Sequence, residues 1–210
     1  LVSVLTHRDG SLVIGTEKGI SRFADGRLTP FRLTDNVDAN NIQALIQDST
    51  GALYVGRYAV PLTRIAWTDF NADSGSPRHV VTYCRVPLAA RRSGFFPCDS
   101  PFTALCTTRA GDLLAGNTNG NVGRVAPAAG GALAPFWSPD SPRDQITVRA
   151  LLEDRDGLVW ICTEGRGIVR WHQGESSRLD SEQGLPTSRD SFSTIMEDRE
   201  GSIWIGGDGL

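Results

Sequence analysis

The stretch that decides the fold is ALLEDRDGLVWICT, which occupies residues 150–163. A near copy, TIMEDREGSIWIGG, occupies residues 194–207. Each copy has two apolar residues, a polar turn that ends in a glycine, and three further apolar residues. An aspartate at the start of such a turn accepts hydrogen bonds from nearby amides, and glycine supplies the positive φ that closes the turn. The pattern therefore predicts a β-hairpin at each place.

The same pattern recurs three more times, so the chain is built of repeats. The glycine that ends each turn, called the anchor glycine below, occurs at intervals of 41, 60, 46 and 44 residues, at Gly10, Gly51, Gly111, Gly157 and Gly201. An arginine comes 12 or 13 residues after each of the first four anchors, at Arg22, Arg64, Arg124 and Arg170. Turn aspartates precede three anchors, at Asp48, Asp154 and Asp198.

Four strands in about 44 residues is the period of a β-propeller blade. We expect an all-β fold, a β-propeller fragment of about four and a half four-stranded blades that forms an open arc of a larger propeller. The expected repeats span residues 1–41, 42–101, 102–147, 148–191 and, incompletely, 192–210. Residues 66–101 are an insertion within blade two, either a functional elaboration or a surface loop that costs little.

Composition limits the classes of function. A chain of 210 residues with 40% hydrophobic and 21% charged residues suits a globular domain. Its net charge of −3 excludes a general polyanion binder, and hence a nucleic-acid partner, because phosphate neutralisation needs clustered Lys and Arg. The 23 glycines and 11 prolines disfavour long helices.

The repeats resemble the two-component regulator propeller repeat. The resemblance is close at residues 150–163, 167–171 and 195–206, and Gly184-Leu185-Pro186 matches the turn between blades in that family. It is looser in the first three repeats, where His7 and Thr108 replace the turn aspartate. The resemblance implies a bacterial sensor propeller in the periplasm or elsewhere outside the cytoplasm, in an inner-membrane protein that carries signalling domains downstream.

The repeated charged and aromatic residues admit two interpretations. The four arginines form either an anion-binding set or structural pairs with nearby acids, their stems packed on apolar surface, and we favour the structural pairs. Trp160 and Trp204 are expected to face the core rather than to form a platform for a sugar.

Cysteine and histidine patterns give no catalytic or metal site. Cys106 and Cys162 lie in apolar runs and are expected to be buried thiols. Cys84 and Cys98 lie 14 residues apart in the irregular stretch and either form a disulfide or stay unpaired. The three histidines, His7, His79 and His172, lack metal-ligand spacing. We expect no catalytic residue, metal or cofactor in this chain.

Loops carry function in a propeller, so the candidate ligand site lies on one loop face. The connections between second and third strands share that face with the loops between blades. The predicted ligand-binding residues are Arg57, Tyr58, Arg91, Arg92, Phe95, Phe96, Asn117, Asn119, Glu164, Arg166 and Asp190. Such a polar rim suits a polar small molecule or a glycan.

Three functions are compatible with these features. The first is a ligand-sensing propeller of a two-component phosphorelay protein, and the others are a protein-interaction scaffold and a propeller lyase or hydrolase. We favour the sensor, which is not itself an enzyme. Its expected partners are the ligand, the remaining blades of the propeller, the downstream signalling domains and a second copy of the chain.

Overall fold

The computed structural model describes residues 3–31, 33, 40–58, 60–67, 80–82, 100–125, 133–139, 146–179, 181–185 and 192–207. These residues form eighteen strands in five antiparallel sheets. Each sheet is one blade, and its strands are neighbours in sequence order. A short 3-10 helix lies at Ser181–Gln183. The prediction of an all-β propeller fragment with four full blades and a half blade is confirmed.

The strands follow one another blade by blade. Blade one holds β1 (Ser3–Thr6), β2 (Leu12–Thr16), β3 (Gly19–Ala24) and β4 (Arg27–Phe31). Blade two holds β5 (Ile42–Gln47), β6 (Leu53–Arg57), β7 (Val60–Ile65) and β8 (Val80–Thr82). Blade three holds β9 (Phe102–Thr107), β10 (Leu113–Asn117), β11 (Val122–Val125) and β12 (Leu133–Trp137). Blade four holds β13 (Val148–Glu153), β14 (Val159–Thr163), β15 (Ile168–His172) and β16 (Glu175–Leu179), and blade five holds β17 (Phe192–Glu197) and β18 (Ile203–Gly207).

The turn between the first two strands has the predicted chemistry. In blade four, Oδ1 of Asp154 accepts hydrogen bonds from the amides of Asp156 and Leu158, at 3.0 and 2.9 Å. Gly157 closes the turn with a φ of 79° and donates its amide to the carbonyl of Asp154. The second carboxylate oxygen, Oδ2, accepts the indole Nε1–H of Trp160 at 2.7 Å. Asp198 and Trp204 repeat this bond at 2.6 Å in blade five.

The core lies between blades. Position 116 in β10 is glycine because the first strand of the next blade packs directly on it: a Cβ there would lie 2.5 Å from Cγ1 of Val148. Gly15 meets Ile42 of blade two in the same way. Cys162 takes this position in blade four and packs in a cluster with Phe192 of blade five. Apolar clusters of this kind join each blade to the next.

Trp160 and Trp204 occupy the repeat position that packs against the following blade. The position three residues after the anchor faces the following blade, and it is fully buried where that blade is complete, at Val13, Tyr54 and Leu114. Trp160 is half-buried, because only the two strands of blade five stand against it. Trp204 is 61% exposed, since no further blade covers blade five in the described part of the chain.

The first strands of adjacent blades contact one another and surround a central channel. Within the described residues, β17 and β18 do not pair with the strands of blade one, so strand pairing does not close the ring. The predicted repeat boundaries stay predictions. Most of the insertion at residues 66–101 lies outside the described residues.

Candidate ligand site at the central channel

The first strand of each of blades two to five carries a β-bulge at the same place. In blade two, Ile42 pairs with Arg57 and Ala44 with Gly56, which leaves Gln43 as an extra residue. The registers of blades three, four and five shift in the same way at Thr103, Arg149 and Ser193. A bulge changes the direction of a side chain and is common next to binding sites. We call these four positions the bulge ring.

All four residues of the bulge ring line one cavity. It has a volume of about 290 Å³ and lies on the axis of the propeller, where the first strands of all five blades meet. The remaining lining residues are Ser3, Ala44, Leu45, Ala104, Leu105, Ala150, Leu151, Thr194 and Ile195. The ring therefore places an amide, a hydroxyl pair and a guanidinium around a central opening.

Arg149 is the charged member of the ring. Its Nε and Nη2 both donate to Oε2 of Glu164, at 3.1 and 2.7 Å. The Arg149 and Glu164 side chains are 40% and 45% exposed. Because solvent screens such a pair, it contributes little to stability. The main effect of Glu164 is therefore to orient the Arg149 guanidinium at the mouth of the channel.

Two other ring members are oriented by neighbours. Oγ1 of Thr103 donates to the carbonyl of Val148, 2.6 Å away in the next blade. Nε2 of Gln43 donates to Oδ1 of Asn41 at 2.7 Å. Both side chains keep an oxygen acceptor for a further hydrogen bond, because a hydroxyl and an amide oxygen have two lone pairs.

Two predicted ligand residues have structural roles at the end of the second strand. The side chains of Arg57 and Asn117 are buried. Oδ1 of Asn117 accepts the amides of Asn119 and Asn121, both at 3.0 Å, which caps the following turn. Nη2 of Arg57 donates to Oγ1 of Thr63 at 2.8 Å, and burial lowers the pKa of this guanidinium. These two side chains build the loop face rather than present themselves to solvent.

The other predicted site residues divide between the loop face and the undescribed part. Tyr58, Glu164 and Arg166 are exposed, and Nδ2 of Asn119 donates to Oγ of Ser100 at 2.7 Å. Their role in binding stays a prediction. Arg91, Arg92, Phe95, Phe96 and Asp190, and the predicted cysteine pair Cys84 and Cys98, lie outside the described residues.

The bulge ring was missed by the loop-based reasoning, although the sequence carries a signal for it. Each ring residue lies eight positions before its anchor glycine and interrupts an apolar strand with a polar side chain. A bulge breaks the alternation of a strand, so polarity at a fixed repeat position is the feature that would have revealed it.

The repeated arginines lie at the opposite end of the blades and pair with acids, as the structural interpretation predicts. Arg22 binds Asp9 at 3.0 Å and Arg64 binds Asp48 at 3.1 Å. Nε of Arg124 donates to Asp112 at 2.6 Å. Arg170 differs from the other three, because the indole of Trp160 donates to Oδ2 of Asp154, the turn aspartate of the same blade. The Arg170 guanidinium lies 6.0 Å from the centre of the Trp160 ring.

Hydrogen bonds keep two of these carboxylates, those of Asp48 and Asp9, ionised. Burial alone would raise the pKa of Asp48, but hydrogen bonds from Thr50 and Arg64 outweigh it and lower that pKa. The same balance lowers the pKa of Asp9, which accepts hydrogen bonds from Ser11 and from the indole of Trp67. The acids at this end are therefore structural groups.

Thiols and histidines do not form a reactive centre in the described part of the chain. Cys106 and Cys162 are buried free thiols, and burial raises their pKa to about 11 and about 12. His7 is buried against blade two, where its ring stacks on that of Trp67 with the ring centres 3.4 Å apart. Among the described residues, no cluster of His, Cys, Asp or Glu side chains could hold a metal ion. No helix among those residues has the length and apolar character needed to cross a membrane.

A family model, described as two component regulator propeller, matches residues 142–165 and 186–209. These matches coincide with the two hairpins in which Trp donates to Asp. The last two units are therefore repeats of that family, as the sequence resemblance predicts. No curated protein sequence matches the chain at a significant level.

Solved structures share the fold at low identity. The extracellular domain of BT4673 from B. thetaiotaomicron, described in one structure as a one component system and in another as a hybrid two component system, is 20% identical with a TM-score of 0.74. The match covers 98% of this chain and 26% of that one. A catalytically inactive virginiamycin B lyase from Staphylococcus aureus, with quinupristin, is 18% identical with a TM-score of 0.71, over 96% of this chain and 61% of that one. The β-propeller domain of Cps50 (Swd1) from Myceliophteria thermophila is 15% identical with a TM-score of 0.61, over 99% and 67% of the two chains.

Proposed function

Since its last two units are two component regulator propeller repeats, we propose that this chain is the ligand-sensing propeller of a bacterial two-component protein. It lies outside the cytoplasm and passes a binding signal to a kinase or regulator domain elsewhere in the protein. The extracellular location of the BT4673 domain, which shares the fold, supports this placement.

The observation that carries the proposal is the bulge ring. Four polar side chains from four blades converge on one cavity of about 290 Å³, and each is fixed on a paired strand rather than on a loop. A concave site with a few convergent polar groups is the usual form of a small-molecule site. A ligand that touches several blades at once would change how the blades pack, which is a signal that a neighbouring domain can receive.

The two rival functions have less support. A lyase or hydrolase needs an acid or base held close to the reacting atoms. Among the described residues, those that line the cavity include no histidine, aspartate or glutamate. A protein-interaction scaffold does not need polar side chains from four blades to converge inside a channel, as the bulge ring does.

The proposal is tested in the full-length protein that contains this chain. The assay is a transcriptional reporter for its output, measured in cells that are given a panel of neutral and acidic sugars. The variant Gln43→Ala combined with Ser193→Ala removes two polar groups from the channel, and Ser176→Ala combined with Ser177→Ala is the matched control on the exposed outer strand β16.

We expect the channel variant to need at least ~10-fold more ligand for the same response, since each lost hydrogen bond weakens binding by about 1 kcal/mol. The control should respond like the wild type, and immunoblots should show equal amounts of all three proteins. A protein that lacks this whole chain and still responds to the same sugar would refute the sensor role.

A further inference from the structure

We infer that the channel binds a hydroxylated carboxylate of the sugar-acid class, with its carboxylate on Arg149 and its hydroxyl groups on the rest of the bulge ring. This inference rests on the proposed function and names the ligand of that site. It follows from the charge, the hydrogen-bonding inventory and the size of the cavity.

The guanidinium of Arg149 is oriented but only partly used. Nε and Nη2 share one oxygen of Glu164, so the donors on Nη1 make no hydrogen bond to any described residue. A guanidinium presents five N–H donors in a fixed fork that matches a carboxylate. Glu164 therefore holds the fork in place while one edge of it stays available to a second carboxylate.

The charge of the lining selects a monoanion. Within the described part of the chain, Arg149 is the only charged residue that lines the cavity. Glu164 lies beside it without lining the cavity, and its negative charge repels a second anion at short range. Glu164 repels a phosphate dianion about twice as strongly as it repels a neutral polar molecule that carries a single carboxylate.

The other members of the bulge ring, together with Ser3 of blade one, are suited to binding hydroxyl groups. Ser3 and Ser193 contribute hydroxyls that make no hydrogen bond to another described residue, and the oxygens of Thr103 and Gln43 can each accept one more. These groups lie on different blades around the axis, so they can reach different sides of one ring-shaped ligand. A cavity of about 290 Å³ lies at the lower end of the range for small-molecule sites, which is roughly 300–1,000 Å³. That size suits a monosaccharide.

The test is calorimetric titration of the chain with galacturonate and with galactose, which differ in the carboxylate. We expect galacturonate to bind at least ~10-fold more tightly at low salt, because a hydrogen bond to a charged group contributes more than a neutral one. The variant Arg149→Gln should lose ~10–100-fold in galacturonate affinity and much less in galactose affinity. Arg27→Gln is the matched control, since Arg27 is exposed on the outer strand β4.

A second variant keeps the inference falsifiable if Arg149→Gln disturbs the fold. Glu164→Gln removes the negative charge that repels the ligand, while the amide oxygen can still accept from Nε and Nη2 of Arg149 and hold the fork in place. Galacturonate should therefore bind more tightly than to the wild type, by about 3–10-fold. Weaker or equal binding by Glu164→Gln overturns the inference, as does equal affinity of the wild type for galactose and galacturonate.

The failure of this inference can be told apart from failure of the proposed function. If neither sugar binds the chain while the cellular reporter still depends on the chain, the sugar-acid assignment is overturned and the sensor role stands. If galacturonate binds through Arg149 while the reporter gives the same response with and without this chain, the binding site stands and the sensor role is refuted.

Discussion

The substitution Asp154→Ala tests how the repeat turn stabilises a blade. The Asp154 carboxylate is buried and accepts three hydrogen bonds, two from the turn amides of Asp156 and Leu158 and one from the indole of Trp160. Each such bond contributes about 1 kcal/mol net, so the loss of all three should lower the free energy of unfolding by about 3 kcal/mol. Half-burial of Trp160 admits some water to the indole, which makes this figure an upper value.

Urea unfolding followed by tryptophan fluorescence measures this loss. With an m-value of about 2–3 kcal/mol/M, the midpoint should fall by about 1–1.5 M. Asp154→Asn keeps one acceptor oxygen for the amides and replaces the other with an NH₂ group that cannot accept from the indole, so it should cost about 1–2 kcal/mol. The matched control is Asp156→Ala in the same turn, because the Asp156 side chain is exposed and should cost within about 0.5 kcal/mol.

The order of the urea midpoints of these three variants shows whether the turn carboxylate stabilises the blade. If Asp154→Ala unfolds at the same urea concentration as Asp156→Ala, the turn carboxylate does not stabilise the blade and the structural interpretation of the repeat is wrong. If Asp154→Asn is as damaging as Asp154→Ala, the bond to Trp160 alone carries the effect and the turn amides do not need the side chain.

Three further outcomes follow from the packing and the charges. Gly116→Ala should lower the free energy of unfolding by about 1–3 kcal/mol, because its Cβ would lie 2.5 Å from Val148 of the next blade; a neutral effect on the urea midpoint would show that the blades can separate at no cost. Cys106 and Cys162 should resist iodoacetamide in the native chain at pH 8 and react in urea, since burial raises their pKa to about 11 and about 12; rapid native labelling by mass spectrometry would contradict this. Because the native pKa of Asp48 is lowered, its ion pair should stabilise the fold above about pH 4 and lose this contribution as the pH falls through the native pKa. The variant Asp48→Asn should therefore show a weaker dependence of thermal stability on pH between about 2 and 5, and an unchanged slope would refute that assignment.

The architecture could be predicted from the sequence because its signals are local and repeated. The anchor glycines and turn aspartates specify hairpins within a few residues, and five copies in register specify a propeller. The fourth strands, such as β12 at Leu133–Trp137 and β16 at Glu175–Leu179, follow from the same period of four strands in about 44 residues. Such strands are defined by flanking turns that the sequence shows directly.

The site could not be predicted in the same way, because its geometry depends on neighbours in space. Arg57 and Asn117 are polar residues next to a loop, and the sequence does not show that the turn itself buries them. The exposure of Trp204 depends on whether another blade stands against it, which no pattern within its own repeat reveals. A bulge changes which face a residue occupies, so a simple alternation of faces assigns Gln43 and Arg149 to the wrong side.

The two ends of each blade have divided roles, and this division supports the channel as the place of recognition. At the turn end, the units share one arrangement, in which an aspartate accepts a hydrogen bond from either an arginine or an indole. Asp48 accepts from Arg64, and Asp154 accepts from Trp160. At the channel end, the backbone bulge repeats in blades two to five while its side chain changes from amide to hydroxyl to guanidinium. A bulge that forms with any of these residues does not require a particular side chain for stability. The chemistry of the bulge ring is therefore free to match a ligand, and a change at Arg149 should alter binding while the stability of the blade stays unchanged.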